Sequence, residues 1–252
     1  MFIFDIVGHA LADFLTKERD IGAASPPTPP DALIAALRPG DVLLVDGKAR
    51  ISSAIKYLSQ STWSHAALYV GPSGGCGAHC VIEADLVGGV RRVGVERYAG
   101  FHTRICRPVG LSEDDREALI DFAEARLGDR YDLRNVFDLA RYLMPNPPIP
   151  SRWRRRMLAL GSGDPTRAIC STLIAQAFQS IQYPILPDIE RVRTNHDGCE
   201  ECVEEIAHIR HYSLFTPRDF DVSPFFQIVK PTLESGFNFK AVQWADVRET
   251  IE

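Results

Sequence analysis

The stretch Ala168-Ile169-Cys170-Ser171-Thr172-Leu173-Ile174-Ala175-Gln176-Ala177-Phe178 sets a cysteine at the start of an apolar helix. Ile169, Leu173 and Ala177, then Ile174, Phe178 and Ile181, recur at helical spacing. That spacing predicts a buried helix running to about Gln182, stopped before Pro184 and Pro187. A loop rich in Gly, Ser, Asp and Pro, from Gly161 to Pro165, leads into it. A thiol in this position faces the positive end of the helix macrodipole, which favours thiolate over thiol. Free cysteine is also a common small core residue, so position alone leaves Cys170 open between packing and chemistry.

A histidine far upstream changes the balance. Trp63-Ser64-His65-Ala66-Ala67-Leu68-Tyr69-Val70 reads as a strand. Side chains alternate along a strand, so His65, Ala67 and Tyr69 share one face, and the small alanine leaves room beside the imidazole. Gly71 to Gly75 form a loop, and Cys80-Val81-Ile82-Glu83-Ala84 is the returning strand of a hairpin. Glu83 is an acid in an apolar strand, which is costly to bury without a partner. Directly opposed residues in a hairpin lie ~5 Å apart, so Glu83 is expected to face His65 across the ladder. Cys170, His65 and Glu83 then fit a nucleophile, a base and a group that orients the base. Their order along the chain, His then Glu then Cys, is the reverse of papain. Ser64, Ser171 and Tyr69 are the candidate substrate-binding residues beside them.

Outward from these pieces, Met1 to about Asp20 reads as a short amphipathic helix, followed by the stiff Ser25-Pro26-Pro27-Thr28-Pro29-Pro30 linker. Residues 31–252 are expected to form a single domain with a helical insertion at about 133–167. Asp31 to Leu37 reads as a short helix, Asp41 to Val45 as a buried strand, and Ile51 to Leu58 as a helix. Gly89 to Tyr98 and Thr103 to Cys106 read as two more strands. Ser112 is a predicted N-cap, with Asp115 at the third helical position and Gly128 closing the helix. Helical stretches are also expected at Asn135–Leu143, Arg152–Leu160 and Cys199–Ile209. Thr216 to Asp221 reads as a turn held by an Arg–Asp pair, and Phe225 to Val229 as a last strand. The pattern is α+β with an antiparallel sheet.

At 252 residues, with 45% hydrophobic and 24% charged residues, the chain has an ordinary globular composition. A net charge of −5 argues against nucleic acid as the main partner. The first residues lack a basic leader, and no run of ~18 apolar residues suggests a membrane span. A cytoplasmic setting with reduced thiols is therefore expected. The amphipathic N-terminus and the basic run Arg152, Arg154, Arg155, Arg156 leave a peripheral membrane contact open. The oligomeric state is not legible. Cys76 with Cys80 and Cys199 with Cys202 could in principle supply four thiolates to zinc. Unpaired thiols are the simpler reading, and no metal or cofactor is called for.

Several short motifs occur in a specific order. These are Leu37-Arg38-Pro39-Gly40-Asp41-Val42, Ser64-His65 before an apolar strand, Glu83-Ala84, Gly128-Asp129-Arg130-Tyr131-Asp132, and Cys170-Ser171 opening a helix. In this order they resemble the circularly permuted branch of the NlpC/P60 papain-like superfamily, and within it the YiiX/YebB-like amidase group. The resemblance spans about residues 37–182. It implies a permuted papain-like fold, in which the helix carrying Cys170 packs on an antiparallel sheet or small barrel carrying His65 and Glu83, and thiol-dependent hydrolysis of a peptide-like amide through an acyl-enzyme. The third catalytic position varies in that superfamily, so Glu83 is carried over less firmly than Cys170 and His65. Permuted relatives such as the lecithin:retinol acyltransferase group make a lipid acyl hydrolase or acyltransferase the alternative. An inactive module that only binds a ligand or partner is the reading from outside enzymology.

Overall fold

Val42-Leu43-Leu44-Val45 carries no polar residue on either face, because the strand it forms is covered on both. In the computed structural model, which describes residues 27–73, 76–85, 88–129, 169–196, 199–234, 236, 238 and 240, these four side chains are all buried. They belong to β1 (Val42–Asp46), a central strand of a six-stranded antiparallel sheet. The other strands are β2 (His65–Ser73), β3 (Gly77–Asp85), β4 (Gly89–Gly94), β5 (His102–Pro108) and β8 (Phe226–Val229). Their order across the sheet is β4-β3-β2-β1-β5-β8. Strands buried on both faces read as unbroken apolar runs rather than alternating ones. The sheet is open among the described residues, so the antiparallel-sheet form of the expectation holds and the closed barrel does not.

Alternation sorts the side chains into two cores. Val42, Leu44, Ala66, Leu68, Ile82, Ala84 and Cys106 point to one face. There they meet α4 (Ile169–Ser180) through Leu173, Ile174, Ala177 and Phe178, and α3 (Glu113–Glu124) through Leu119 and Ala123. Phe178 is the hub of this face, with Phe226 edge-on at 5.2 Å and Tyr183 at 5.4 Å. Leu43, Val45, Ala67, Tyr69, Val81 and Ile105 point the other way, onto Leu33 and Leu37 of the segment around α1 (Pro30–Ala36), and onto Val95 and Tyr98. Thr28, in the Pro-rich segment, is pinned to β5, its Oγ1 accepting from Thr103 N at 3.1 Å.

The turn into β1 is built around Asp41. Gly40 takes φ +91°, a left-handed conformation that a side chain would strain. Arg38 N donates to Asp41 Oδ2 at 2.8 Å, and Arg107 of β5 donates to both carboxylate oxygens, at 2.9 and 2.7 Å. Burial pushes the Asp41 carboxyl above its ordinary range, against the pull of Arg107. At α3, Ser112 caps as expected, its Oγ accepting from Asp115 N at 3.1 Å.

Four expectations are corrected. The strand read through Tyr98 ends at Gly94, and a 3-10 turn, Val95–Tyr98, follows it. Residues 199–208 form a strand, β7, paired with β6 (Asp188–His196) in a separate hairpin. The apolar spacing of Cys199, Cys202, Val203 and Ile206 fits a helix, but cross-strand pairing with Asp188–His196 overrides that local preference. Thr216–Asp221 is a turn leading into a helix, α5 (Pro217–Val222), in which Thr216 N donates to Asp219 Oδ2 at 2.7 Å. The Arg–Asp pair there is Arg104 with Asp221, at 2.6 Å, and Asp221 also accepts from Trp63 Nε1. Cys76 and Cys80, expected as free thiols, are joined by a disulfide. Their Cα atoms lie 5.9 Å apart, a separation a disulfide spans, whereas the expectation of free thiols had been drawn from compartment and not from geometry.

The predicted N-terminal helix, the helical insertion at 133–167 and the Arg152–Leu160 helix lie outside the described residues. So do the side chains of Cys199 and Cys202. Among the described residues, no helix is long and apolar enough to cross a membrane, and no cluster of side chains is arranged to hold a metal ion.

Candidate active site

His65 opens β2, beside Val45 of the central strand. The pairing of Leu68 with Ile82, continued by one residue, sets Glu83 opposite Ala67 and therefore diagonal to His65. The expected shared face is found, but direct opposition is not. Ala67, with only a methyl group, leaves the Glu83 carboxylate free to lean toward the imidazole. His65 Nε2 lies 2.7 Å from Glu83 Oε2. An ionised carboxylate only accepts, so Nε2 carries the hydrogen in this contact.

Cys170 completes the group. It stands at the second residue of α4 and is buried, close enough to the His65 imidazole to act on its charge. The structure thus brings Cys170 to two residues that lie far upstream of it in the chain. Burial opposes a charge on His65, but Cys170 and Glu83 outweigh it and lift the imidazole to about 10 from 6.5. Glu83 moves the other way. Its side chain is 3% exposed, and burial alone would raise it. The hydrogen bond and charge of His65, with Tyr98 and Arg91, hold it at about 2.

The remaining contacts of Glu83 come from residues that sequence reasoning passed over. Tyr98 donates its hydroxyl to Oε2 at 2.5 Å and stands 3.3 Å from His65 Nε2. Burial, reinforced by the Glu83 charge, pushes the Tyr98 hydroxyl well above its usual range, so it keeps its proton. Arg91, the direct cross-strand partner of Glu83 on β4, donates Nε to Oε1 at 2.9 Å and also pairs with Asp85. Arg97 Nε lies 3.6 Å from the same oxygen. One signal was available: a buried acid demands donors, and the next strand offered Arg91. Tyr98 was hidden by the strand drawn through it.

The other expected site residues have protein partners. Ser64 Oγ accepts from Gly47 N at 2.9 Å, and Ser171 Oγ donates to Phe215 O at 2.8 Å. Tyr69 is buried, with its hydroxyl 3.0 Å from His79 Nδ1. Two residues after Cys170, in the first turn of α4, the buried Thr172 hydroxyl has no hydrogen-bond partner among the described residues.

Residues 36–142 match the model of a family described as permuted papain-like amidase enzymes, YaeF/YiiX, C92 family. This segment is similar to the permuted papain-like amidases. The amidase match takes in His65, Glu83, Arg91 and Tyr98 and ends before Cys170. The family so described is one of papain-like amidases. No curated protein sequence matches the chain. Among solved structures, the chain is similar to one described as the metalloprotein yiiX from Escherichia coli O157:H7. That similarity has 16% identity and a TM-score of 0.45, and covers 77% of this chain and 96% of the other.

Proposed function

We propose that the protein hydrolyses a peptide-like amide through a Cys170–His65–Glu83 triad and an acyl-enzyme. The observation that carries this reading is His65, bonded to a buried carboxylate and within electrostatic reach of a thiol at a helix start. Because Nε2 is engaged by Glu83, Nδ1 is the nitrogen left to exchange a proton with the thiol. An imidazolium held by a carboxylate is the partner a thiolate needs to persist near neutral pH.

In this scheme the Cys170 sulfur attacks the substrate carbonyl and forms the C–S bond as the carbonyl oxygen takes the negative charge. The Cys170 N–H, in the first turn of α4 where backbone donors have no intrahelical acceptor, is placed to stabilise that oxygen. The tetrahedral species collapses, the C–N bond breaks, and His65 delivers its proton to the leaving amine. Water then attacks the thioester with His65 as base, releasing the acid and restoring the thiol. Glu83 stays ionised throughout and stabilises each imidazolium. Ser64, Tyr69 and Ser171 would serve substrate binding only by giving up their present hydrogen bonds.

The test is adduct trapping. Wild-type protein and Cys170→Ser are incubated with a peptide amide pool and with a lipid ester pool, and intact masses are recorded. A peptidyl adduct on Cys170, absent from the variant, is expected. A fatty-acyl adduct instead would make the protein a lipid acyl hydrolase or acyltransferase. No adduct, together with an iodoacetamide rate at Cys170 no faster than that of a small free thiol, would leave only a binding module.

A further inference from the structure

We infer that Tyr98 is a positioning residue, which clamps the Glu83 carboxylate against Arg91 so that Oε2 stays aimed at His65. The inference rests on the triad reading and adds a part to it. Glu83 is a flexible side chain reaching diagonally across the methyl of Ala67, so the ladder itself does not fix its carboxylate. Two residues from different elements do. Arg91 of β4 takes Oε1, and Tyr98, at the end of the 3-10 turn, takes Oε2. Arg97, on the same turn, stands near Oε1, and Asp85, two residues along β3, shares Arg91.

Arg91 and Arg97 both draw the carboxylate toward Oε1, away from the imidazole. Without a donor on the other oxygen, the acid gains by rotating toward the two guanidinium groups. Tyr98 supplies that donor, and at 3.3 Å from Nε2 its oxygen also borders the path of the imidazole N–H. Its ring is 4% exposed and packs with Val95 and Ala67 in the core, so its place is set by packing and does not depend on substrate. Tyr98 acts through Glu83 and needs no contact with reacting atoms.

The test uses Tyr98→Phe, which keeps the ring and deletes one hydroxyl, together with Glu83→Gln and the double variant, in the full chain. Alkylation of Cys170 by iodoacetamide is followed across pH, and peptide hydrolysis is resolved into kcat and KM. Tyr98→Phe is expected to lower kcat by about tenfold, the scale of one hydrogen bond to a charged group, with KM little changed. The alkaline limb of the alkylation profile, set by loss of the His65 proton, should move to lower pH. In the Glu83→Gln background the same change should add nothing, because the group it positions is gone. A Tyr98→Phe profile that overlays the wild type, or effects of the two variants that simply multiply, would overturn the inference and leave the triad reading standing. A wild-type Cys170 that alkylates no faster than a small free thiol would overturn both. A thermal melt confirms that Tyr98→Phe is folded. If it is not, Tyr98→Leu, which has no side-chain donor, replaces it in the same comparison.

Discussion

Two buried carboxylates flank β2, Asp41 from the turn before β1 and Glu83 from β3, and the two are treated differently. Asp41, beside Tyr69, is bound by Arg107 and by the Arg38 backbone N–H. Glu83, toward the other end, is bound by His65, Tyr98 and Arg91. Every donor to Asp41 is permanent, since neither guanidinium nor peptide gives up its proton at working pH. One donor to Glu83 is an imidazole, which in the proposed triad exchanges a proton with the Cys170 thiol. The first arrangement ties a turn to a strand. The second holds a proton that can move. Burial of an acid is therefore no mark of chemistry; the lability of its partners is.

Removing one partner at each end should separate the two roles. His65→Ala is expected to cut peptide hydrolysis by about a thousandfold or more, the scale of lost acid–base catalysis, with the fold retained in circular dichroism. Arg107→Ala should do the reverse. It strands a carboxylate that is 2% exposed, and stability should fall by roughly 3 kcal/mol in urea titrations, while turnover per folded molecule stays near wild type. If Arg107→Ala lost rate without stability, the Asp41 end would belong to the active site and the division would fail.

Glu83→Gln against Asp41→Asn is the finer contrast. Gln keeps an acceptor for Nε2 but removes the charge, so kcat should drop roughly ten- to a hundredfold. Asp41→Asn should leave kcat unchanged. Stability should also differ with pH. Glu83 sits at about 2 in the fold against 4.5 ordinarily, so its contribution is complete above about 4.5 and is lost as pH falls toward 2. His65 sits at about 10 against 6.5, so its contribution is complete below about 6.5 and is lost as pH rises through 10. Urea midpoints of wild type and Glu83→Gln should be furthest apart between these two windows and should converge at both extremes. A constant offset at all pH values would mean that the pair does not form.

Much of the Glu83 end was legible in the sequence, and little of the Asp41 end. Cys170 announced itself by its place before an apolar helical stripe. His65 and Glu83 did so by alternation in two adjacent strands, a local rule that survives folding. The diagonal offset was not legible, because register depends on a hairpin loop whose length does not dictate it. Tyr98 was missed because nothing local distinguishes Val95–Tyr98 from more strand; the 3-10 turn follows from burying Val95 and Tyr98 under the sheet. Arg107 and Asp41 are 66 residues apart, and only the β1–β5 pairing joins them. The β6–β7 hairpin was misread because apolar spacing fitted a helix until a partner strand was known.

The smallest expected effect concerns the hairpin tip, beyond the Asp41 end. Cys76 and Cys80 close a loop with a sequence separation of only 4. Loop-closure entropy grows with loop length, so a loop this short yields at most about 2 kcal/mol. His79 beside Cys80 is bonded to Tyr69, whose backbone N–H donates to Asp41 O, so any loosening at the tip reaches the structural end of the hairpin first. Reduction of the disulfide, or the Cys76→Ser/Cys80→Ser pair, should therefore lower the urea midpoint modestly and leave kcat and the Cys170 alkylation rate where they were. A tenfold loss of either rate with an unchanged midpoint would show that the tip controls the thiol end directly. The hairpin and the turn before β1 would then be one mechanical unit, and the separation of the two carboxylates into a fixed clasp and a working one would not hold.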